Sequence, residues 1–307
     1  MRHFVIPGYD HPILPLFSPC GRWLYGCGAA FLVAWDLAGT GSEYVWCDTE
    51  SGGFFIRPTV SPCGRYVAGA EDRCVLVWDM VRRGKAKWLI ASPSGDQISD
   101  VAFTPDGKEL LTACIERRGG VRRWRVGNWR RKPAFATRAH CDGALAVSPD
   151  SKIVATADNG GEKPAIKLWR FPSGRLRMTA KTSAESLVRL RFSPDGAFLV
   201  AQDNWQRIRV WDARTLAEVA VYEPPPKKKG RKKVGEVTNL AFHPSGQVLA
   251  LTSDAAPVAF LDTATWQPIC VYDWKIGRTY GVAFSSDGNL AAAGGDKGKV
   301  VVWDLDL

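Results

Sequence analysis

A short turn motif recurs seven times along the chain at nearly constant spacing, and it constrains the fold more than any other feature. Residues Ser193–Gly196 typify it: a proline presets φ for the turn, and a glycine can adopt positive φ. The proline position recurs at intervals of 43, 43, 44, 45, 50 and 42 residues, at Pro19, Pro62, Pro105, Pro149, Pro194, Pro244 and finally Ser286. The repeat predicts one array, although a length of 307 residues alone would suggest about two domains.

Short apolar segments follow each turn and alternate with further turn residues. After Ser193–Gly196, residues 198–201 predict one strand and residues 208–211 another, with Asp203 and Asn204 marking the turn between them. The segments are short and often β-branched, and they lack a long 3.6-residue pattern. A repeat of this length therefore predicts four short strands and excludes helical repeats.

In most copies, the predicted strand that follows the second turn ends in Trp, and this Trp is usually followed by Asp. The pairs are Trp35-Asp36, Trp78-Asp79, Trp124-Arg125, Trp169-Arg170, Trp211-Asp212, Leu261-Asp262 and Trp303-Asp304. Together with the Phe-Ser-Pro-Asp-Gly turn, this pattern resembles the WD40 repeat family over essentially all of residues 1–307. The resemblance implies an all-β fold, a seven-bladed β-propeller of four-stranded antiparallel blades, as a single domain.

The two ends of the chain predict how the last blade is completed. The seventh copy stops just after its third strand, and the apolar run His3–Ile6 precedes the first copy without a blade of its own. We expect the N-terminal segment to pair with the last blade as its fourth strand, which would cover an open edge.

Many members of the WD40 family have a Gly-His dipeptide whose His joins a network with an Asp, a strand hydroxyl and the Trp. None of the four His in this chain follows a Gly, and His140 is the nearest candidate, with Thr156, Asp158 and Trp169 in its blade. We expect few or no complete networks.

The cysteines and the N-terminus indicate the compartment. The eight Cys are scattered without a CxxC pair, which is typical of reduced, structural thiols and indicates a cytoplasmic protein. The N-terminus lacks the apolar core of a signal peptide, and the chain contains no run of 18 apolar residues. The sequence therefore predicts no membrane association.

Motifs of catalysis and cofactor binding are absent from the sequence. There is no HExxH, GxSxG or GxxxxGK[ST] motif, and the glycine-rich residues 294–299 lie where the other copies have a β-turn. Four His make a metal site improbable. The sequence predicts a protein that is not an enzyme and that has no catalytic residue, metal or cofactor.

Positive charge is concentrated in two segments, so the net charge of +10 leaves the rest of the chain net acidic. Residues 117–138 contain nine Lys or Arg and no acid, and a Pro/Lys-rich loop at 223–234 lengthens the connection between blades five and six. The candidate anion-binding residues are Arg130, Arg131, Lys132, Lys227, Lys228, Lys229, Arg231, Lys232 and Lys233. The first three are expected in a turn, with Trp129 able to stack beneath them. A solvated surface is the favoured interpretation of the first segment, and a solvated or weakly anion-binding loop that of the second.

The resemblance also implies that partners bind the face formed by the loops that enter each blade and by the turns between its second and third strands. Mapped onto this chain, that face would expose Phe54, Arg57, Glu71, Gln97, Trp205, Glu236, Arg278 and Tyr280. Trp205 lies inside a turn where the other copies have small or charged residues. It could anchor a partner or fold over its own blade.

These features favour a monomeric, non-catalytic scaffold that binds a protein or peptide through its loop-rich face. The alternative is a propeller that binds nucleic acid phosphates through residues 117–138 and 227–233. Fold alone does not separate the two, because propellers carry many functions.

Overall fold

The computed structural model describes residues 1–5, 11–28, 31–39, 43–47, 56–82, 87–90, 97–115, 120–135, 144–224, 237–253 and 258–305. The described part of the chain contains strands and turns and no α-helix. Its strands form seven four-stranded antiparallel sheets. The predicted fold class, an all-β seven-bladed propeller with four-stranded blades, is confirmed.

The chain divides into two compact units, residues 1–55 with 222–307 and residues 56–221. We call the second of these the four-blade unit and the first the three-blade unit. The strands of the three-blade unit are β1 (Arg2–Val5), β2 (Leu14–Phe17), β3 (Trp23–Gly28), β4 (Phe31–Asp36), β5 (Glu43–Cys47), β22 (Val237–Phe242), β23 (Val248–Ser253), β24 (Val258–Asp262), β25 (Pro268–Tyr272), β26 (Thr279–Phe284), β27 (Leu290–Gly295) and β28 (Lys299–Asp304).

The four-blade unit has one blade for each run of four consecutive strands. These are β6 (Ile56–Val60), β7 (Tyr66–Glu71), β8 (Cys74–Asp79) and β9 (Lys87–Ile90), then β10 (Gln97–Phe103), β11 (Glu109–Ile115), β12 (Gly120–Arg125) and β13 (Arg131–Phe135), then β14 (Leu145–Val147), β15 (Ile153–Asp158), β16 (Ala165–Arg170) and β17 (Arg175–Lys181), and last β18 (Leu187–Phe192), β19 (Phe198–Asp203), β20 (Ile208–Asp212) and β21 (Glu218–Tyr222).

Hydrogen bonds within the recurring turn explain why it is repeated. The Ser193 hydroxyl donates to the Asp195 carboxylate at 2.5 Å and accepts from the Phe198 amide at 2.9 Å. Gly196 donates its amide to the Ser193 carbonyl and has a φ of 73°, in the left-handed region that favours glycine. The serine, aspartate and glycine of the motif therefore form hydrogen bonds within the same turn, so the motif marks the junction of two strands.

Apolar side chains from adjacent blades pack together within each unit. In the four-blade unit, Leu168 of one blade packs in a cluster with Leu190, Leu199 and Trp211 of the next, all with at most 1% of their surface exposed. Burial on both faces of a sheet removes each blade's apolar surface from water, which a single repeat could not achieve alone.

The N-terminal strand completes the last blade, as predicted. Strand β1 pairs antiparallel with β28, so that Arg2 lies opposite Val302 and Val5 lies opposite Lys299. The sheet order is β1-β28-β27-β26. The glycine-rich residues 294–299 form the end of β27, a turn and the start of β28, as the sequence indicated.

One element of the family's polar network is present in the four-blade unit. The indole Nε1 of Trp169 donates to the Thr156 hydroxyl at 2.9 Å, and Asp158 pairs with Lys167. His140 lies outside the described residues. The indole Nε1 atoms of Trp124 and Trp303 are buried and have no hydrogen-bond partner among the residues described.

Candidate functional site

Trp205 projects from the turn between β19 and β20 and is 52% exposed. Its indole Nε1 donates to a Glu185 carboxylate oxygen at 3.2 Å, and the Arg207 guanidinium carbon lies 4.4 Å from its ring centroid. Trp205 is therefore held from two sides while half of its surface is available to solvent. A rigid, exposed aromatic side chain is the type of residue that contributes strongly to protein interfaces.

The buried carboxylate of Asp203 holds the Trp205 turn in place. Asp203 accepts from the amides of Trp205 and Arg207, at 2.9 Å each. It also accepts from the side-chain Nε of Arg207 at 2.8 Å and of Arg209 at 3.0 Å. Gln206 adopts a φ of 69°, which closes the turn. The sequence marks Asp203 as a turn residue, but these ion pairs depend on the packing of the blade.

The other predicted face residues of the four-blade unit have different surroundings. Gln97 is exposed and donates to the Asp72 carboxylate at 3.1 Å. Glu71, on the preceding blade, is only 6% exposed, and its Oε2 atom is buried with no hydrogen-bond partner among the described residues. The expectation that Glu71 is exposed is wrong, because it lies on β7 inside the sheet and not in the turn that follows.

Arg57 also departs from the expected exposure. Its side chain is 18% exposed and donates to the Asp100 carboxylate at 3.1 Å and to the Val188 carbonyl at 2.7 Å. The guanidinium thus joins the first strands of three blades and does not project from a loop. The sequence does not reveal this arrangement, because the partners of Arg57 lie far apart along the chain.

In the three-blade unit, two of the predicted face residues meet one turn aspartate. The exposed Arg278 donates its amide to the Asp296 carboxylate at 3.0 Å. Tyr280 is half-buried; burial, and next the hydrogen bond with Asp296, raise the pKa of its phenol. The remaining candidates, Phe54 and Glu236, lie outside the described residues.

The first basic segment is less available to anions than its sequence indicates. Lys132 lies on β13, as does Arg131, and not in a turn. Lys132 pairs with Glu109 at 2.6 Å, and Glu109 also pairs with Arg123 at 2.7 Å. Burial opposes ionisation of Glu109, but these hydrogen bonds outweigh it and hold the pKa of the carboxyl below its usual value. Arg130 and Arg131 are exposed.

Trp129 does not stack beneath the basic side chains, and that expectation is wrong. Its ring is buried and lies 5.0 Å from the ring of Tyr66 on the preceding blade, in an edge-to-face contact. The apolar surface between the two blades thus takes up this aromatic ring. The second basic segment, residues 227–233, lies outside the described residues.

A cleft of about 280 Å³ opens at the opposite end of β19 from Trp205. It lies between two of the recurring turns, and its charged lining residues are Asp150, Asp195, Arg177 and Arg214. Hydrogen bonds from the neighbouring serines hold the pKa values of both aspartates below the usual range. The two aspartates and two arginines balance in charge, so the cleft favours neither an anionic nor a cationic ligand.

The described residues show neither a metal-binding cluster nor a membrane-spanning helix. They contain no group of three or more His, Cys, Asp or Glu placed to hold a metal ion. Nor do they include any helix with the length and apolar character needed to span a membrane.

Comparison with known families supports the repeat assignment. Residues 57–79, 176–212 and 269–304 match the family model "WD domain, G-beta repeat". This chain carries WD40 repeats. The matched segments lie in both units, and the second includes Trp205 with its turn. WD40 propellers are generally non-catalytic scaffolds.

Several curated WD40 proteins are similar to this one. The chain is 28% identical to "WD repeat-containing protein VIP3" of Arabidopsis thaliana, over 48% of this chain and 48% of that protein. It is 24% identical to "Serine-threonine kinase receptor-associated protein" of Gallus gallus over 68% and 55%, respectively. It is also 24% identical to "Target of rapamycin complex subunit wat1" of Schizosaccharomyces pombe over 52% and 48%. The matches thus span about half the length of these relatives.

Proposed function

We propose that this WD40 protein is a non-catalytic scaffold that binds a protein or peptide partner, with Trp205 as a principal contact. The observation that carries the proposal is the exposed ring of Trp205, fixed by Glu185 and Arg207. Fixing the side chain before binding reduces the conformational entropy lost in a complex.

The surroundings of Trp205 also define the chemistry of the contact. The ring offers apolar area, while the exposed Glu185 carboxylate beside it offers polar contacts. Interfaces commonly combine an aromatic anchor with a polar rim. The relatives' names support an interaction role, since one is named a complex subunit and another a receptor-associated protein.

Quantitative affinity purification from the native source tests the proposal. We expect Trp205→Ala to lose specific partners that the wild-type protein retains. Leu176→Ala is the matched control, because Leu176 is also 52% exposed but lies on the outer strand β17. The wild-type partner is then purified, and its affinity for each variant is measured directly.

The results separate a contact role from a structural one. Glu185→Gln should weaken binding less than Trp205→Ala, because it loosens the ring without removing it. If every partner binds the Trp205→Ala variant and the Leu176→Ala variant equally well, Trp205 is not the contact.

The proposal also includes the oligomeric state and the cellular compartment of the protein. We propose a monomer in the cytoplasm. The six cysteines whose side chains the structure describes form no disulfide with one another, in keeping with a reducing compartment: Cys20, Cys27, Cys63, Cys74, Cys114 and Cys270. Fractionation of the native source and sedimentation of the purified protein test these two points.

Nucleic acid binding is the second candidate, and the exposed Arg130 and Arg131 favour it. Binding through phosphates would be independent of sequence and would weaken steeply with salt. We expect neutralisation of both arginines to reduce the salt slope more than Lys132→Ala does, because Glu109 already pairs with Lys132. Neutralising residues 227–233 tests the second segment. A salt slope that stays unchanged in all three variants would exclude this candidate.

A further inference from the structure

Arg57 and Asp100 form an ion pair at the first strands of the four-blade unit, and Arg189 and Arg191 lie close enough to interact electrostatically with both. Arg57 lies on β6, Asp100 on β10, and Arg189 with Arg191 on β18. Asp100 is 1% exposed, and its carboxylate accepts from Arg57 at 3.1 Å. Arg57 then donates to the Val188 carbonyl at 2.7 Å, which ties the first blade of this unit to its fourth.

Both oxygens of the Asp100 carboxylate already accept hydrogen bonds within the fold. In addition to Arg57, Asp100 accepts from the Leu145 amide at 3.0 Å and from the Val101 amide at 2.9 Å. Its one negative charge balances one guanidinium. Counted over the described residues, the three arginines therefore leave an excess of two positive charges in a region where Asp100 is fully buried and the arginines are partly buried.

The two arginines of β18 carry this excess. Arg189 and Arg191 are two residues apart on one strand, so their side chains leave the same side of the strand. Arg191 donates one guanidinium hydrogen bond to the Leu190 carbonyl at 2.8 Å. Arg189 makes no side-chain hydrogen bond to any residue that the structure describes. A cation that is partly withdrawn from water gains from an anionic or hydrogen-bonding partner.

The electrostatics agree with this geometry. Burial, and next the nearby charges of Arg57 and Arg191, lower the pKa of Arg189 to about 9. Burial likewise lowers the pKa of Arg191. A guanidinium stays protonated in proteins, but the surroundings disfavour the charged forms of both side chains. A bound anion would reverse that effect.

The backbone of Arg57 is also unusual. Its φ is 51°, in the left-handed region that non-glycine residues seldom adopt, next to a register irregularity in the pairing of β6 with β7. Arg57 is also the residue whose side chain donates to both Asp100 and the Val188 carbonyl. Backbone strain of this kind concentrates at functional sites.

We propose that Arg57, Arg189 and Arg191 form a binding site for a small dianion with a phosphoryl group. Two unbalanced guanidinium charges match the two charges of a phosphate or phosphate monoester at neutral pH. The planar guanidinium group binds phosphoryl oxygens through paired hydrogen bonds. Partial burial of all three arginines limits the ligand to a small molecule. This site is separate from Trp205 and does not depend on the proposed partner contact.

Isothermal titration of the purified full-length protein tests the site. The probes are inorganic phosphate and glycerol 2-phosphate, each compared with chloride at matched ionic strength. We expect saturable binding and a melting temperature that rises with phosphate concentration. Binding of inorganic phosphate alone assigns free phosphate, and tighter binding of the ester assigns a phosphate monoester. No binding of either probe beyond the chloride control overturns the proposal.

Variants locate the site. Arg189→Gln should weaken phosphate binding by about tenfold or more. Without phosphate, the stability of this variant should equal or exceed that of the wild type, since an unbalanced, partly buried charge is removed. Arg175→Gln, an exposed arginine on β17, should bind as the wild type does. Equal binding by Arg189→Gln and the wild type overturns the assignment.

A second pair of variants keeps the test valid if Arg189→Gln fails to fold. Arg189→Lys keeps the charge but loses the planar pair of donors, so binding should weaken by a smaller factor of about three to ten. Wild-type affinity in that variant would contradict the site. Trp205→Ala should retain phosphate binding, so failure of the partner proposal and failure of this one are distinguishable.

Discussion

The ring of Phe4 packs 5.4 Å from the ring of Trp35, and Phe4 lies opposite Val300 in the strand pairing. The N-terminal strand therefore completes the last blade through hydrogen bonds and also adds an aromatic side chain to a core that contains Trp35 and Val300. We therefore expect β1 to contribute to the stability of the three-blade unit.

We expect Phe4→Ala to lower the free energy of unfolding by ~1–3 kcal/mol, less than a fully buried Phe would cost because Phe4 is half-buried. Deletion of residues 1–7 should cost more, since it also exposes the edge of β28. Urea unfolding measures both. His3→Ala is the control, because His3 is the exposed neighbour on the same strand. A truncated protein that unfolds at the wild-type urea midpoint would contradict the importance of this strand.

Two buried threonines at equivalent positions of successive blades should respond differently to the same substitution. Thr156 accepts a hydrogen bond from Trp169, whereas the Thr112 hydroxyl is buried with no partner among the described residues. Thr156→Val should destabilise by ~1–3 kcal/mol, because it leaves the indole N–H unsatisfied. Thr112→Val should be neutral or stabilising. Differential scanning calorimetry of both variants measures the contrast, and equal losses would show that the hydrogen bond contributes nothing.

Replacing a tryptophan by alanine should lower the free energy of unfolding more where the tryptophan is buried than where it is exposed. Trp78 is 1% exposed, and Trp78→Ala should cost ~3–5 kcal/mol of unfolding free energy. Trp205→Ala removes the same side chain from an exposed turn, so its melting temperature should lie close to that of the wild type. Thermal unfolding by circular dichroism compares them. A large loss in Trp205→Ala would mean that its ring supports the fold and would weaken its assignment as a partner contact.

Acid should destabilise the protein through the recurring turns. Three serine hydroxyls donate to the aspartate two residues later, in the pairs Ser148–Asp150, Ser193–Asp195 and Ser285–Asp287. In all three, this hydrogen bond is the main cause that lowers the pKa of the aspartate. A lowered pKa in the folded state contributes stability above the unfolded value of about 3.9, and the contribution is lost as the pH falls through the folded value.

The urea midpoint should therefore fall between about pH 6 and pH 3. Asp195→Asn should be less stable than the wild type at the higher pH and should show a smaller decrease on acidification. If the variant and the wild type lose the same amount of stability on acidification, the Ser193–Asp195 hydrogen bond is not the cause.

Several features follow from the sequence because they depend on neighbours along the chain. The turn of Ser193–Gly196 closes through its own hydroxyl, carboxylate and glycine, so seven copies in register are enough to predict seven sheets. The pairing of β1 with β28 follows from counting the strands of each copy. The position of Trp205 in a turn can also be inferred, since Asp203 and the strands on either side mark that turn.

Only the tertiary structure determines which side chains are buried and which distant residues they contact. Glu71 and Arg57 belong to the residues expected on the loop face, yet one is buried and the other turns toward Asp100. Trp129 packs against Tyr66, from the preceding blade, and does not stack on its basic neighbours. Hydrogen-bonding and charge preferences within a repeat act over a few residues, so they can be inferred from the order of amino acids. Contacts between blades join residues a whole repeat or more apart, and only the packed sheets bring them together.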